Sequence, residues 1–190
     1  RGYAHSVIQR IWDILQAFAS FGFCKAHAAA FALPTYQSAW LKAHYPAEFL
    51  AAVLTHDPGM YPKRSIIAEA RRCGAALLGL DVNKSQGAYV VEQANVALSG
   101  DDVHKGERGR GIRIALTDLK GIEAREIENI LRCRPYSSLK DFVERAQVSR
   151  TTTERIMWCG GFDELHGHQV SRRELYFYLN ELYDSGLAKQ

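Results

Sequence analysis

Cysteine is scarce and scattered: Cys24, Cys73, Cys133 and Cys159 are the four in 190 residues, with no CxxC pair. With no histidine at zinc-finger spacing either, the pattern argues against a disulfide framework and against a structural zinc. A reducing, cytoplasmic location is expected. No apolar run approaches the roughly 20 residues that span a bilayer, and no charged-then-apolar leader opens the chain, so no membrane partner is expected. Methionine is missing from position 1, and an amphipathic pattern starts at Ser6, which reads as an excised or cleaved piece. Charge of one sign is also lacking: 24 Lys and Arg stand against 21 Asp and Glu, a net +3. Such a balance permits nucleic-acid binding without demanding it.

What is present is a hydrophobic content of 47% with 24% charged residues, ordinary for a folded chain and too apolar for a disordered one. The basic residues gather in two places. Lys63, Arg64, Arg71 and Arg72 form one group, and His104, Lys105, Arg108, Arg110 and Arg113 another. Each group reads either as a phosphate-facing surface or as a solvated face.

Hydrophobic spacing predicts mostly helix. Val7, Ile8, Ile11, Leu15 and Phe18 recur every three or four residues, with Ser6 as a candidate cap. A second helix is predicted from Ala26 to His44, ending before Tyr45-Pro46 and kinked by Pro34. A short helix carries Phe49, Leu50, Val53 and Leu54 and stops at Asp57-Pro58-Gly59. Pro62 and Gly74 bracket another around Ile66, Ile67 and Ala70.

The period then changes. Leu78, Leu80 and Val82 alternate, Tyr89 to Val91 favours strand, and Ile112, Ile114 and Leu116 alternate again. The polar, glycine-punctuated stretch from Ser99 to Gly111 reads as a flexible loop. Helical spacing returns from Glu123 to Arg132 and from Ser138 to Ala146. Thr151 with Glu154, and Ser171 with Glu174, have capping-box spacing, and Gly160-Gly161 reads as a helix stop.

Lys25 and His27 raise a conflict. Both stand in a helical first turn, where the macrodipole already contributes positive potential and a cation is disfavoured. A bound anion resolves it, because first-turn amides with a lysine and a histidine suit a phosphate; the plainer alternative is a solvated lysine and a packed histidine.

The stretch FGFCKAHAAAFALPTYQSAWLKAHYPAEFL, Phe21 to Leu50, resembles the fingers of bacterial C-family DNA polymerases (the DNA polymerase III alpha type). Glu69 to Gly74, Leu80 to Ser85, IRIALTDLKG from Ile112 to Gly121, PYSSLKDF from Pro135 to Phe142 and Gly160 to Asp163 continue the resemblance. The turn from Asp57 to Tyr61 looks closer to the error-prone branch.

The resemblance implies a mainly α fold: a helical fingers segment over residues 1–76, a small β element with a flexible loop over 77–116, and a helix-hairpin-helix-like domain over 117–190. It implies nucleotide contacts from Lys25 and His27, with Phe31 beside the nascent base pair. It departs from the family at Ala26, where a serine is common, and at Pro34. Leu119-Lys120-Gly121-Ile122-Glu123 looks like a helix-hairpin-helix turn, a motif that binds DNA backbone without reading bases, and Gly160-Gly161 like its degenerate partner. Glu123 stands where a second glycine is usual, and its carboxylate should repel phosphate, which leaves open that this copy is structural only.

The expected DNA contacts are Arg113, Lys120, Gly121, Ile122, Gly160 and Gly161. The implied partners are primer-template DNA, deoxynucleotide triphosphates and, through the parent enzyme, other replication or translesion proteins. Magnesium is expected in the parent's palm, whose aspartates this segment lacks, so the isolated segment is expected to be inactive. The alternative is a non-catalytic helix-hairpin-helix module of a repair protein. His166-Gly167-His168 offers too few ligands for a metal, and Asp101-Asp102 lacks a rigid frame for two-metal chemistry. Tyr176, Phe177, Tyr178 and Tyr183 are expected to pack a terminal helix.

Overall fold

A computed structural model describes residues 2–22, 24–94, 109–167 and 169–186, without the side chains of 18–22. Contacts divide the chain into two compact units, Arg1–Leu41 and Lys42–Gln190. The first holds helix α1, His5–Gly22, and most of α2, Lys25–His44. Ser6 is not a cap, because α1 starts at His5. The Ala4 carbonyl accepts from the amides of Val7 and Ile8 at 2.9 and 3.2 Å instead. The second helix runs through Pro34 and stops before Tyr45-Pro46, where the proline ring disfavours helical backbone in the preceding residue. Ile8, Ile11, Leu15, Phe31 and Leu33 are each more than half exposed, so these apolar faces find no core among the described residues.

The second unit has two cores. In one, α3, Pro46–His56, and α4, Lys63–Arg72, pack on a three-stranded sheet made of β1, Ala76–Leu78, β2, Val90–Gln93, and β3, Arg110–Arg113. The strand order is β1-β3-β2. Parallel β1 sets Leu77 opposite Ile112, and antiparallel β2 sets Val91 opposite the same residue. Ile112, fully buried, shares this core with Ala47, Leu50, Leu54, Ile66 and Ala70. The Thr55 hydroxyl accepts the Tyr89 amide at 3.1 Å and fixes the start of β2 against α3.

Strand boundaries depart from the expected alternation. Leu80 and Val82 do point inward, but into the second core and beyond the end of β1. Val82 opens a turn whose amides are taken by the Asp81 carboxylate, from Asn83 at 2.6 Å and Lys84 at 2.9 Å. Leu116 is not strand either; it begins a single 3-10 turn, Leu116–Asp118. Most of the expected 99–111 loop, with Asp101, Asp102, His104, Lys105 and Arg108, lies outside the described residues. Its described end is strand from Arg110.

Around the second core stand α5, Ala124–Arg132, α6, Leu139–Arg145, α7, Arg150–Trp158, the single turn α8, Asp163–His166, and α9, Arg172–Asp184. Phe142 is central, with Phe162 and Tyr136 edge-on to it at ring separations of 5.0 and 4.8 Å; such pairs add roughly 0.5–1.5 kcal/mol each beyond burial. Ser171 and Glu174 form the expected capping box, the Ser171 amide donating to the carboxylate at 2.8 Å. Thr151 and Glu154 do not. Helix α7 starts earlier, the Ser149 hydroxyl accepts the Thr152 amide at 3.2 Å, and Glu154 pairs with Arg150 at 2.9 Å.

Residues 80–85 tie the sheet to these helices. The Val82 amide donates to the Gly161 carbonyl at 2.9 Å. Asn83 imitates a strand partner: its side chain donates to the Tyr136 carbonyl at 2.9 Å and accepts the Tyr136 amide at 2.8 Å. Arg134 donates to the Val82 carbonyl at 2.6 Å. The fold is mainly α with one small sheet.

Candidate nucleic-acid interface

At the mouth of α2, Lys25, Ala26 and His27 are all exposed. The Cys24 carbonyl accepts the Ala28 amide at 2.9 Å, and no acidic residue stands in the first turn. His27 and Phe31, one turn apart on the same face, meet with ring centroids 4.5 Å apart and planes tilted by 52°. Phe31 stays 58% exposed, so an aromatic edge and two basic side chains open to solvent along one helix.

The first hairpin is a tight turn. Ile122 donates back to the Leu119 carbonyl at 3.2 Å, and Gly121 has a φ of 77°, a left-handed conformation that costs a side-chain-bearing residue roughly 1–2 kcal/mol. Lys120 and Gly121 are exposed, whereas Ile122 is half-buried against the second core. Glu123, which stands where a second glycine was expected, caps α5: its amide donates to Glu126 at 3.1 Å in a reciprocal box. Arg155, from α7, lies over Gly121 and donates to the Lys120 carbonyl at 2.6 Å.

The second hairpin, after α7, is closed. Gly160 and Gly161 are buried. Their amides donate to Met157 and Ile156 at 3.0 and 2.8 Å, so neither is offered outward. A methyl group on Gly161 would collide with the Ile156 side chain and come within 3.1 Å of its carbonyl; this glycine allows a close approach of the hairpin to α7. Gly160 has a φ of 87° and lies under Arg172.

Arg113 is a correction. It is 5% exposed. Its guanidinium donates twice to Glu92, at 2.9 Å each, and once to the Gly79 carbonyl at 2.9 Å, so it faces no phosphate. The sequence offered no warning, because burial of this strand's alternate face was not legible from a short run of mixed residues. The Lys63 group is partly spent too: Lys63 pairs with Asp118, and Arg72 with Glu69, while Arg64 and Arg71 are exposed. Arg110 pairs with Glu48 at 2.8 Å.

Among the described residues no three His, Cys, Asp or Glu side chains gather as metal ligands. His166 instead accepts the Leu139 amide on Nε2 at 3.1 Å, at the head of α6; His168 lies outside the described residues. Burial pushes the His166 imidazole below its ordinary value. A histidine held neutral in this way stabilises the fold fully above its unfolded value near 6.5, and the benefit is lost as pH falls below it. Melting temperature should therefore drop between pH 7.5 and 5.5, and the drop should be smaller in H166Q; identical slopes in the two proteins would refute this assignment. Of the expected terminal aromatics, Tyr176 and Tyr183 pack on the second core, whereas Phe177 is 55% exposed beneath Arg173. No described helix is long and apolar enough to cross a membrane.

The family described as helix-hairpin-helix motif matches residues 74–175, more than half of the chain. Among curated relatives, the error-prone DNA polymerase of Symbiobacterium thermophilum is 39% identical over 181 residues, 88% of this chain and 17% of the relative. That of Nocardia farcinica is 33% identical over 90% of this chain and 14% of the relative. The DNA polymerase III subunit alpha of Pseudomonas aeruginosa is 34% identical over 87% of this chain and 14% of the relative. The chain thus spans less than a fifth of the length of these relatives. With both hairpins in place and the match running from Gly74 into α9, the chain belongs to the helix-hairpin-helix motif family and is homologous to one segment of the bacterial error-prone and III-alpha DNA polymerases.

Proposed function

We propose that this chain is part of a DNA-directed DNA polymerase, contributing contacts to the incoming deoxynucleotide from α2 and a sequence-independent grip on duplex DNA from the first hairpin. The observation that carries the reading is the exposed pair Lys25 and His27 in the first turn of α2, with no acidic residue beside them. A lysine charge at a helix N-terminus is unfavourable until something negative arrives. A triphosphate would receive amide hydrogens, the lysine charge and a histidine donor there, while Phe31 offers a face for stacking against a base.

In this reading the segment supplies positioning and charge rather than bond chemistry. Carboxylates elsewhere in the parent enzyme hold the magnesium ions that activate the 3'-hydroxyl and the leaving phosphate. The segment alone is then inactive. Lys120 and the Gly121 turn serve the duplex, where contacts to phosphate fix register without reading sequence.

In the full-length polymerase, Lys25→Ala should raise the KM for deoxynucleotides by about 10- to 100-fold, the equivalent of one charge-assisted contact of roughly 1.5–3 kcal/mol. Lys120→Ala should weaken duplex binding and leave nucleotide KM unchanged. An unaltered nucleotide response in Lys25→Ala removes the polymerase fingers role and leaves a duplex-binding module of the kind found in repair proteins.

A further inference from the structure

The two hairpins share a device that their sequences do not announce. Each has a glycine with positive φ, and each glycine lies beneath an arginine from another element. At the first, Arg155 Nη1 sits 2.5 Å from where a Cβ on Gly121 would stand, and it donates to the carbonyl of the preceding Lys120. At the second, Arg172 Nη2 sits 2.5 Å from the Cβ position of Gly160 and Nη1 donates to the Trp158 carbonyl at 2.8 Å. The geometry is repeated; the electrostatics are not.

Arg172 is neutralised. Asp163 receives it on both oxygens, at 3.1 and 2.5 Å. Arg155 has no such partner among the described residues. The neighbouring carboxylates are engaged elsewhere: Glu154 holds Arg150, and Glu126 faces Ser149, Thr152 and the head of α5. Arg155 is exposed, as are Lys120 and Gly121 beside it. Among the described residues the amides of Lys120 and Gly121 donate to nothing, whereas both glycine amides of the second hairpin are consumed internally.

We propose that Arg155 is a phosphate ligand of the first hairpin, reaching across from the second motif, and that the chain grips DNA through the first hairpin while the second is structural. This rests on the duplex-binding reading above. A phosphate at the first turn would meet the Gly121 amide, the Lys120 ammonium and the remaining guanidinium hydrogens of Arg155, three donors converging on one anion. It would also explain how Glu123 is tolerated: the cation from α7 offsets a carboxylate where a glycine is usual, and the capping box turns that carboxylate towards its own helix. The lysine and arginine here stand 35 residues apart, so no local motif could reveal the site.

The test is binding of a mixed-sequence DNA duplex to this chain by fluorescence anisotropy across a salt series. Each phosphate contact contributes about 0.9 to the slope of log affinity against log salt. Arg155→Gln should lower the magnitude of the slope by about 0.9, which near 0.1 M salt is about an eightfold loss of affinity. Arg155→Lys should keep the slope, and Arg172→Gln should leave it unchanged. Duplex should also protect Arg155, but not Arg172, from modification by phenylglyoxal, a measurement made on the unaltered protein and so independent of whether a variant folds.

A normal slope in Arg155→Gln beside a reduced one in Lys120→Ala, or unprotected Arg155, overturns the proposal and leaves duplex binding standing. An equal loss of slope in Arg172→Gln overturns the division of labour between the hairpins. If the unaltered chain binds no duplex even at low salt, the underlying reading fails with it.

Discussion

Glu126→Ala should lower the melting temperature more than any surface substitution, by about 6–12 °C for a loss of roughly 3 kcal/mol. Glu126 is 9% exposed and is the acceptor for three donors from two elements. The Ser149 amide reaches one oxygen at 2.8 Å; the Thr152 hydroxyl and the Glu123 amide reach the other at 2.8 and 3.1 Å. Alanine would leave the buried Thr152 hydroxyl without its acceptor and release the amides of Ser149 and Glu123, and an unsatisfied buried donor costs more than its bond contributes. Burial pulls this carboxyl upward, yet the amides of Ser149 and Glu123 with the Thr152 hydroxyl outweigh it and hold the group below its ordinary range. Its contribution is therefore complete above about pH 4.5 and lost as pH falls through the lower folded value. Thermal melts of the two proteins at pH 7 and pH 3.5 check this: the gap between them should shrink in acid, and a gap that stays constant would contradict it. Glu126→Gln should fall between, because one amide oxygen can serve only part of the donor set.

Arg113→Ala should cost about 3 kcal/mol, the scale for removing one member of a buried pair. The two bonds to Glu92 join β3 to β2 next to the pair Val90–Arg113, and the bond to Gly79 carries the same guanidinium to the segment after β1. One side chain thus ties β3 both to β2 and to the residue that follows β1. Hydrogen bonding by Arg113 is also the main cause that lowers the Glu92 carboxyl, so the substitution should return that group towards its ordinary range. Chemical denaturation of Arg113→Ala, Glu92→Ala and the double variant measures the coupling. A coupling below about 0.5 kcal/mol would mean that the pair contributes no more than an exposed surface ion pair.

Helix existence was legible because 3.6-residue spacing is dense in this chain, and because Pro46, Pro62 and Gly74 mark ends by steric rules that tertiary context rarely overrides. The strands were less legible. Leu78, Leu80 and Val82 alternate as a strand should, but β1 ends at Leu78, Leu80 and Val82 belong to the second core, and the Asp81 side chain draws the backbone that follows it into a turn. Caps divided in the same way. Ser171 is reached by its own Glu174, a local event, whereas the Ser149 cap of α7 takes its amide's acceptor, Glu126, from 23 residues away. Of the candidate site, exposed Lys25, His27, Phe31, Lys120 and Gly121 stand where a ligand could reach them. Arg113, Gly160 and Gly161 do not, since sequence reports charge and flexibility but not what covers them. Arg155, Arg172 and Glu126 passed unnoticed because their roles rest largely on partners in other elements.

The reciprocal clasp between Asn83 and Tyr136, with Val82 bound to the second hairpin, bears on where such a module can be cut. A recombination breakpoint placed between the sheet and the helices would leave orphaned donors on both fragments. One placed at Gly74, where α4 has ended and φ is 88°, severs none of these ties. A transferable cassette built around the two hairpins must therefore bring its strands along, and the family's span begins at that same glycine.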